Sequence, residues 1–181
     1  LHNPRGPLFA GLPTLEAHRT LPAPTAAKAL AASGLVQGTI FGDPLATKEE
    51  LLAVGRVETQ LLSLRLQLEP DLSPIERLLL DASHTNRHDP GAACARSQEA
   101  RGLCTEDVPP RPAQPRPRGC VTIDNSGYGR YQGELQIVQQ DLPADPRVNV
   151  VAHIEPTELF LLDYLEPGRS FAFEISSGGM P

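Results

Sequence analysis

The run "TQLLSLRLQLE" (residues 59–69) limits the fold more than any other stretch of the chain. Leu62, Leu64, Leu66 and Leu68 alternate with Ser63, Arg65 and Gln67, the period of a strand with one face in a core. From Val57 onward the pattern stays mostly β: "GCVTIDN", "YQGELQIV", "NVVAHI" and "RSFAFEI" follow, separated by Pro, Gly and Asp clusters. Two short helices interrupt it. "SPIERLLL" has a Ser cap with Pro in the first turn, and "EPTELFLLDYL" carries the same early proline before an amphipathic run. "VPPRPAQPRPRG" holds five prolines in twelve residues and reads as an extended loop.

Residues 14 to 55 have a different texture. "PTAAKALAASG" reads as an Ala-rich helix closed by Gly34, "LVQGTIFGD" as a short buried strand, and "TKEELLAVG" as a helix capped by Thr47 and ended by Gly55. This is a helix–strand–helix run, without internal repeats anywhere in the chain. With 181 residues, 40% hydrophobic content and a formal charge of −6, one or two domains are expected, and a generic nucleic-acid binder is disfavoured. No stretch approaches the roughly 20 apolar residues of a membrane span, and the start "LHNPRGPLFAGLP" has no secretory pattern. It has no initiating Met either, as in a processed, cut or fragmentary chain. Cys94, Cys104 and Cys120 match neither a CxxC metal pair nor a disulfide scaffold, so a reduced, cytoplasmic setting is expected.

Polar chemistry concentrates in two places. "DNSGYGRYQGELQI" (124–137) reads as a hairpin whose Asn125, Gly127 and Gly129 suit a tight bend. Tyr128, Arg130 and Tyr131 are not required by that bend. Arg130 offers a planar fork to phosphate or carboxylate, and a tyrosine offers an apolar face to a sugar ring. On a strand, Tyr128 and Arg130 share one face and Tyr131 takes the other; Glu134 falls on the Arg130 face and can simply pair with it. In "HTNRHD", His84 and His88 are spaced to share a helix face, but Asn86, Asp89, Pro90 and Gly91 favour a loop, and no metal site is expected.

Five blocks in one order then carry a family resemblance: "RGPLFAGLPTLEAHR", "IFGDPLATKEEL", "HTNRHDPGAACARSQEAR", "VTIDNSGYGRYQGELQI" and "ELFLLDYLEPGRSFAFEI". Together they resemble the C-terminal part of bacterial 6-phospho-N-acetylmuramidases, formerly grouped as uncharacterised outer surface proteins. The resemblance implies an α+β chain: the end of a (β/α)8 barrel over residues 1–55, a cyclophilin-like closed β-barrel with short helices over 57–176, and a disordered tail at 177–181. It also implies a cytoplasmic glycosidase of cell-wall recycling that cleaves N-acetylmuramic acid 6-phosphate–N-acetylglucosamine without a cofactor. Cyclophilin-like folding does not by itself convey prolyl isomerase activity.

A full eightfold barrel takes about 250 residues, so most of it is expected to be missing. The two carboxyl groups that glycoside hydrolysis needs are then expected outside this chain, and no residue here is assigned catalysis. For substrate binding the resemblance and the hairpin together point to Asp43, Asn86, Arg87, Arg96, Arg101, Tyr128 and Arg130. Asp43 would close a barrel strand on the face where such barrels bind substrate, with Arg5 on a nearby loop. The expected partners are the phosphorylated amino-sugar disaccharide and the missing barrel domain, not nucleic acid or membrane. A stand-alone sugar-phosphate-binding module and a non-functional truncated product are the rival readings.

Overall fold

A computed structural model describes residues 4–89 and 91–175, and the chain divides between Gln60 and Leu61 into two units. The expected tail at 177–181 lies outside the described residues.

The first unit holds a 3-10 turn, Glu16–His18, and two helices, α1 (Ala23–Ala32) and α2 (Lys48–Gly55), which pack on each other. Helix α1 begins with proline in its first turn and buries Thr25, Ala27, Lys28, Ala29 and Ala32. Gly34, at φ +68, ends the helical path in the left-handed region, where glycine avoids a Cβ clash. Helix α2 starts on a capping box: Glu50 N–H donates to the Thr47 hydroxyl at 3.1 Å, and Thr47 N–H donates to the Glu50 carboxylate at 2.9 Å.

The strand expected at 35–43 does not form. No described residue of this unit is in a strand, and Ile40 is 94% exposed. A strand is held by ladder bonds to a neighbour, and with no neighbour the apolar run follows an irregular path of bends. The observed unit is helical with turns rather than α/β.

The second unit is built on one seven-stranded sheet: β1 (Leu61–Leu68), β2 (His84–Thr85), β3 (Cys94–Arg96), β4 (Cys120–Asp124), β5 (Leu135–Val138), β6 (Val148–Ile154) and β7 (Ser170–Ile175). The order is β2-β7-β1-β6-β4-β5-β3, antiparallel except for the β1–β7 pair. A further bridge, Asn86 to Ser97, joins the ends of the edge strands and nearly closes the sheet into a barrel. Strand β1 buries Leu62, Leu64 and Leu66, as its alternation requires. Val121, Ile123, Leu135, Ile137, Ala152 and Phe171 complete the core.

Helix α3 (Pro74–Asp81) starts on the expected Ser73 cap, with Glu76 closing the box, and buries Ile75, Leu79 and Leu80. Glu76 is itself buried, and its other oxygen accepts from the Asn149 amide at 2.9 Å. Asn149 accepts in turn from Asn125 at 2.9 Å and from the Arg111 backbone N–H at 3.0 Å. This buried network ties the start of the proline-rich stretch to the β4–β5 hairpin, each polar group answered by a partner. The run at 155–165 starts with Pro156 in its first turn as expected, but winds as a 3-10 helix, Pro156–Tyr164. Its Glu158 is fully buried and accepts the Arg65 backbone N–H at 2.7 Å.

Candidate anion site on the barrel

The Asn86–Ser97 bridge places the segment after β2 beside β3 and the short helix α4 (Ala100–Leu103). Asn86 is buried, with both ends of its amide partnered: Nδ2 donates to the Leu165 carbonyl at 2.9 Å, and Oδ1 accepts the Arg96 N–H at 3.2 Å. It fixes the two segments that carry the arginines. His84 is also internal. Its Nδ1 and Nε2 meet Ser97 Oγ at 2.8 Å and the Leu79 carbonyl at 2.9 Å, its ring stacks on Phe171, and burial pushes its pKa down. His88 is exposed, so the two histidines do not converge. Among the described residues, no three His, Cys, Asp or Glu side chains are grouped to hold a metal.

Three arginines gather here around two carboxylates. Arg87 grips Asp89 with Nε and Nη2 at 2.8 and 2.9 Å, and Arg96 Nη2 reaches the same carboxylate at 2.9 Å. The Arg87 bonds, opposed by slight desolvation, hold the Asp89 pKa below its ordinary value. Glu134, 4% exposed, takes Arg87 Nη1 on one oxygen at 3.5 Å and Arg101 Nη1 on the other at 3.6 Å. Arg87, Arg101, Asp89 and Glu134, with His88, Ser97 and Gln98, line a cavity of about 370 Å3, and Arg96 stands behind it on Asp89. The contacts to Glu134 are long for hydrogen bonds, so both guanidinium groups keep donor capacity toward the cavity.

Asp124 lies across the hairpin from Glu134, 3% exposed, with Gln136 Nε2 at 3.3 Å. Burial first, and the neighbouring Glu134 charge second, push its pKa up to about 7. Two carboxyl groups in unlike environments are the pattern of a glycosidase pair. Asp124 nonetheless lies outside the cavity lining, so the two do not flank a common ligand position.

The hairpin forms between β4 and β5, but residues Ser126–Tyr131 are a 3-10 turn rather than strand. This corrects two expectations. Tyr128 and Arg130 do not share a strand face, and Glu134 pairs with Arg87 and Arg101 rather than Arg130. The turn resets the period, so counting residues across it assigns the wrong neighbours. Arg130 instead donates to the Tyr131 hydroxyl at 2.8 Å and lies 4.9 Å from that ring's centroid, while Tyr128 is covered by Arg147 at 4.4 Å.

Asp43 belongs to the first unit, where its carboxylate accepts the backbone N–H of Arg5 at 2.8 Å and of Leu12 at 3.3 Å. It clamps a loop beside a cavity of about 440 Å3 with mixed walls, Leu21, Ile40, Phe41 and Val54 alongside His18, Arg19 and Glu50. A thiol–imidazole–carboxylate row also occurs: Cys120 Sγ lies 3.4 Å from His153 Nδ1, and His153 Nε2 lies 3.1 Å from Glu69. Cys120 is fully buried and burial raises its pKa to about 11, which leaves no accessible thiolate.

Sequence reasoning missed Glu134, Asp89 and Ser97 as parts of the site. The signal for Glu134 was its strand parity with Gln136, which pairs with Arg96 across β3–β5; strands as short as β3 do not announce that register.

Residues 62–174 match the family model described as "6-phospho-N-acetylmuramidase, C-terminal", and residues 2–56 match "6-phospho-N-acetylmuramidase, N-terminal". The match thus extends to both domains of the family rather than the C-terminal one alone. Among solved structures, an uncharacterised B. cereus protein is 37% identical with a TM-score of 0.85, over 89% of this chain and 47% of its own. A conserved Enterococcus faecalis protein of unknown function is 33% identical with a TM-score of 0.72, over 97% of this chain and 47% of its own. The chain therefore spans about half the length of these structures. No curated protein matches it.

Proposed function

The chain belongs to the 6-phospho-N-acetylmuramidase family, and from that premise we propose that it supplies the sugar-phosphate-binding part of a longer glycosidase. The substrate would be N-acetylmuramic acid 6-phosphate linked to N-acetylglucosamine, the reaction hydrolysis of that link during cell-wall recycling, and the setting the cytoplasm. One observation carries this reading: Arg87 and Arg101 converge from separate segments on one buried carboxylate at a cavity of about 370 Å3. Glu134 holds both cations in place and leaves N–H groups for a phosphate, whose geometry suits guanidinium forks. Arg96 and Asn86 keep that arrangement in register, and Tyr128 and Arg130, on the turn that reaches Arg101 through Tyr131, would complete it. Asp43 orders its own loop in the first unit. That unit exposes Leu8, Phe9, Leu35, Ile40 and Leu45, the kind of surface that further barrel elements would cover.

Titration calorimetry of the chain with N-acetylmuramic acid 6-phosphate and with unphosphorylated N-acetylmuramic acid tests the proposal. The phosphorylated sugar should bind more tightly, by about tenfold or more for a charge-assisted contact, and Arg87→Ala or Arg101→Ala should abolish that preference. Equal affinity for the two sugars would refute it. The chain should release no N-acetylglucosamine from the disaccharide, since Asp89 and Glu134, which line the cavity, are both engaged by arginines and Asp124 lies outside it; cleavage abolished by Glu134→Gln would overturn this.

A further inference from the structure

Arg130 differs from every other arginine around the site. Arg87 and Arg96 share Asp89, Arg101 leans on Glu134, and Arg147 is tied to Asp145 by two bonds at 2.9 and 2.7 Å. Arg130 has no carboxylate within ion-pair distance among the described residues; its polar partner is the uncharged Tyr131 hydroxyl. A guanidinium has five N–H donors, so most of its capacity faces water.

Its position is nevertheless fixed. Asn125, fully buried, caps the turn by accepting Gly127 N–H at 2.9 Å and donates to the Pro146 carbonyl at 3.0 Å. Gly129 takes φ +60 and ψ −122, a bend that a residue with a Cβ strains to adopt. Tyr131 is the link to the cavity, because its ring centroid lies 4.9 Å from the Arg130 guanidinium and 5.8 Å from that of Arg101, which lines the cavity. An anchored strip therefore runs from the cavity through Arg101 and Tyr131 to Arg130.

Two cationic groups spaced by one aromatic ring that both contact suit a ligand with two separate anions. N-acetylmuramic acid 6-phosphate is such a molecule: a phosphate at C6, a lactyl carboxylate on O3, and a sugar ring between them. We infer that Arg130 is the specificity-determining residue of the site, receiving the lactyl carboxylate while Arg87 and Arg101 hold the phosphate and Tyr131 spaces the two cationic groups. This rests on the sugar-phosphate reading above and adds to it the means by which muramic acid is told from glucosamine. A ligand without the lactyl group leaves Arg130 hydrated, at no cost to either partner.

The test is a two-ligand comparison by titration calorimetry on the intact chain, using N-acetylmuramic acid 6-phosphate and N-acetylglucosamine 6-phosphate, which lacks the lactyl carboxylate. Arg130→Ala should weaken the muramic ligand by about tenfold or more, the value of one charge-assisted bond, and leave the glucosamine ligand within twofold. Arg87→Ala should weaken both. Arg130→Lys should recover only part of the loss, since a point charge lacks the two-pronged geometry. Equal effects of Arg130→Ala on the two ligands, or none on either, would overturn the inference while leaving the phosphate site standing. Failure of the unaltered chain to bind either ligand would remove both. Unchanged circular dichroism and melting of Arg130→Ala would exclude misfolding as the cause.

Discussion

The two units of this chain use the same local devices to different ends. Each has a helix opened by a capping box, Thr47 with Glu50 in one and Ser73 with Glu76 in the other. Helix α3 then buries Ile75, Leu79 and Leu80 in a barrel core, whereas α2 buries none of its residues. The second unit places Leu64, Ile123, Ile137 and Phe171 fully out of water, while large apolar side chains of the first remain exposed. Capping starts a helix but does not supply a core; the hydrophobic burial that holds a domain comes from neighbours, and only the second unit has them in full.

The largest expected consequence is protease sensitivity. Limited proteolysis of the intact chain should cut residues 14–55 first and leave a resistant product beginning near Leu61, since opening free energies range from near zero in poorly packed segments to the global value in a core. Uniform resistance across both units would break the comparison. A sharper form uses single substitutions. Leu64→Ala should cost about 2–5 kcal/mol in chemical denaturation of the barrel, whereas Ile40→Ala, at a 94% exposed position, should stay within about 0.5 kcal/mol.

The barrel should also carry a pH signature of its own. Asp124 has a folded pKa of about 7, against about 3.9 for an unperturbed aspartate. The folded state therefore holds more protons than the unfolded one between these values. The contribution is fully present below about pH 4 and lost as the pH climbs through about 7, so Asp124 alone should lower barrel stability on the order of a few kcal/mol over that window, against the opposite slope of buried His84. Asp124→Asn should flatten the slope in melts from pH 4 to 8; a variant that retains the full slope would locate it elsewhere. The smallest effect is at the caps. Ser73→Ala should lower barrel stability by about 1 kcal/mol, while Thr47→Ala should leave barrel unfolding unchanged.

Legibility in the sequence followed the length over which a pattern repeats. The leucines of β1 alternate for eight residues, and the Ser73-Pro74-Glu76 start is a local signal, so both elements form where expected. Strands β2 and β3 have two and three residues, too few to show a period, yet their junction builds the candidate site. The apolar run 35–43 has strand-like composition but no strand partner among the described residues. Among site residues, Arg87, Arg96 and Arg101 do lie together, and Asn86 holds their segments in register. Period-two counting puts Glu134 on the Arg130 face, where the two could pair, because the 3-10 turn at 126–131 is invisible to it. The contact between Glu76 and Asn149 joins residues 73 positions apart, which no local pattern specifies.

Hydrogen–deuterium exchange of the intact chain, resolved by residue and run with and without N-acetylmuramic acid 6-phosphate, tests the account most directly. Without ligand, the strands of the barrel should exchange slowest and residues 14–55 fastest. With ligand, added protection should appear at residues 84–101 and 126–136, the segments that carry Arg87, Arg101, Arg130 and Glu134, and nowhere in the first unit. Ligand-induced protection centred on Asp43 and the cavity around Ile40 and Phe41, with the barrel unchanged, would contradict the account.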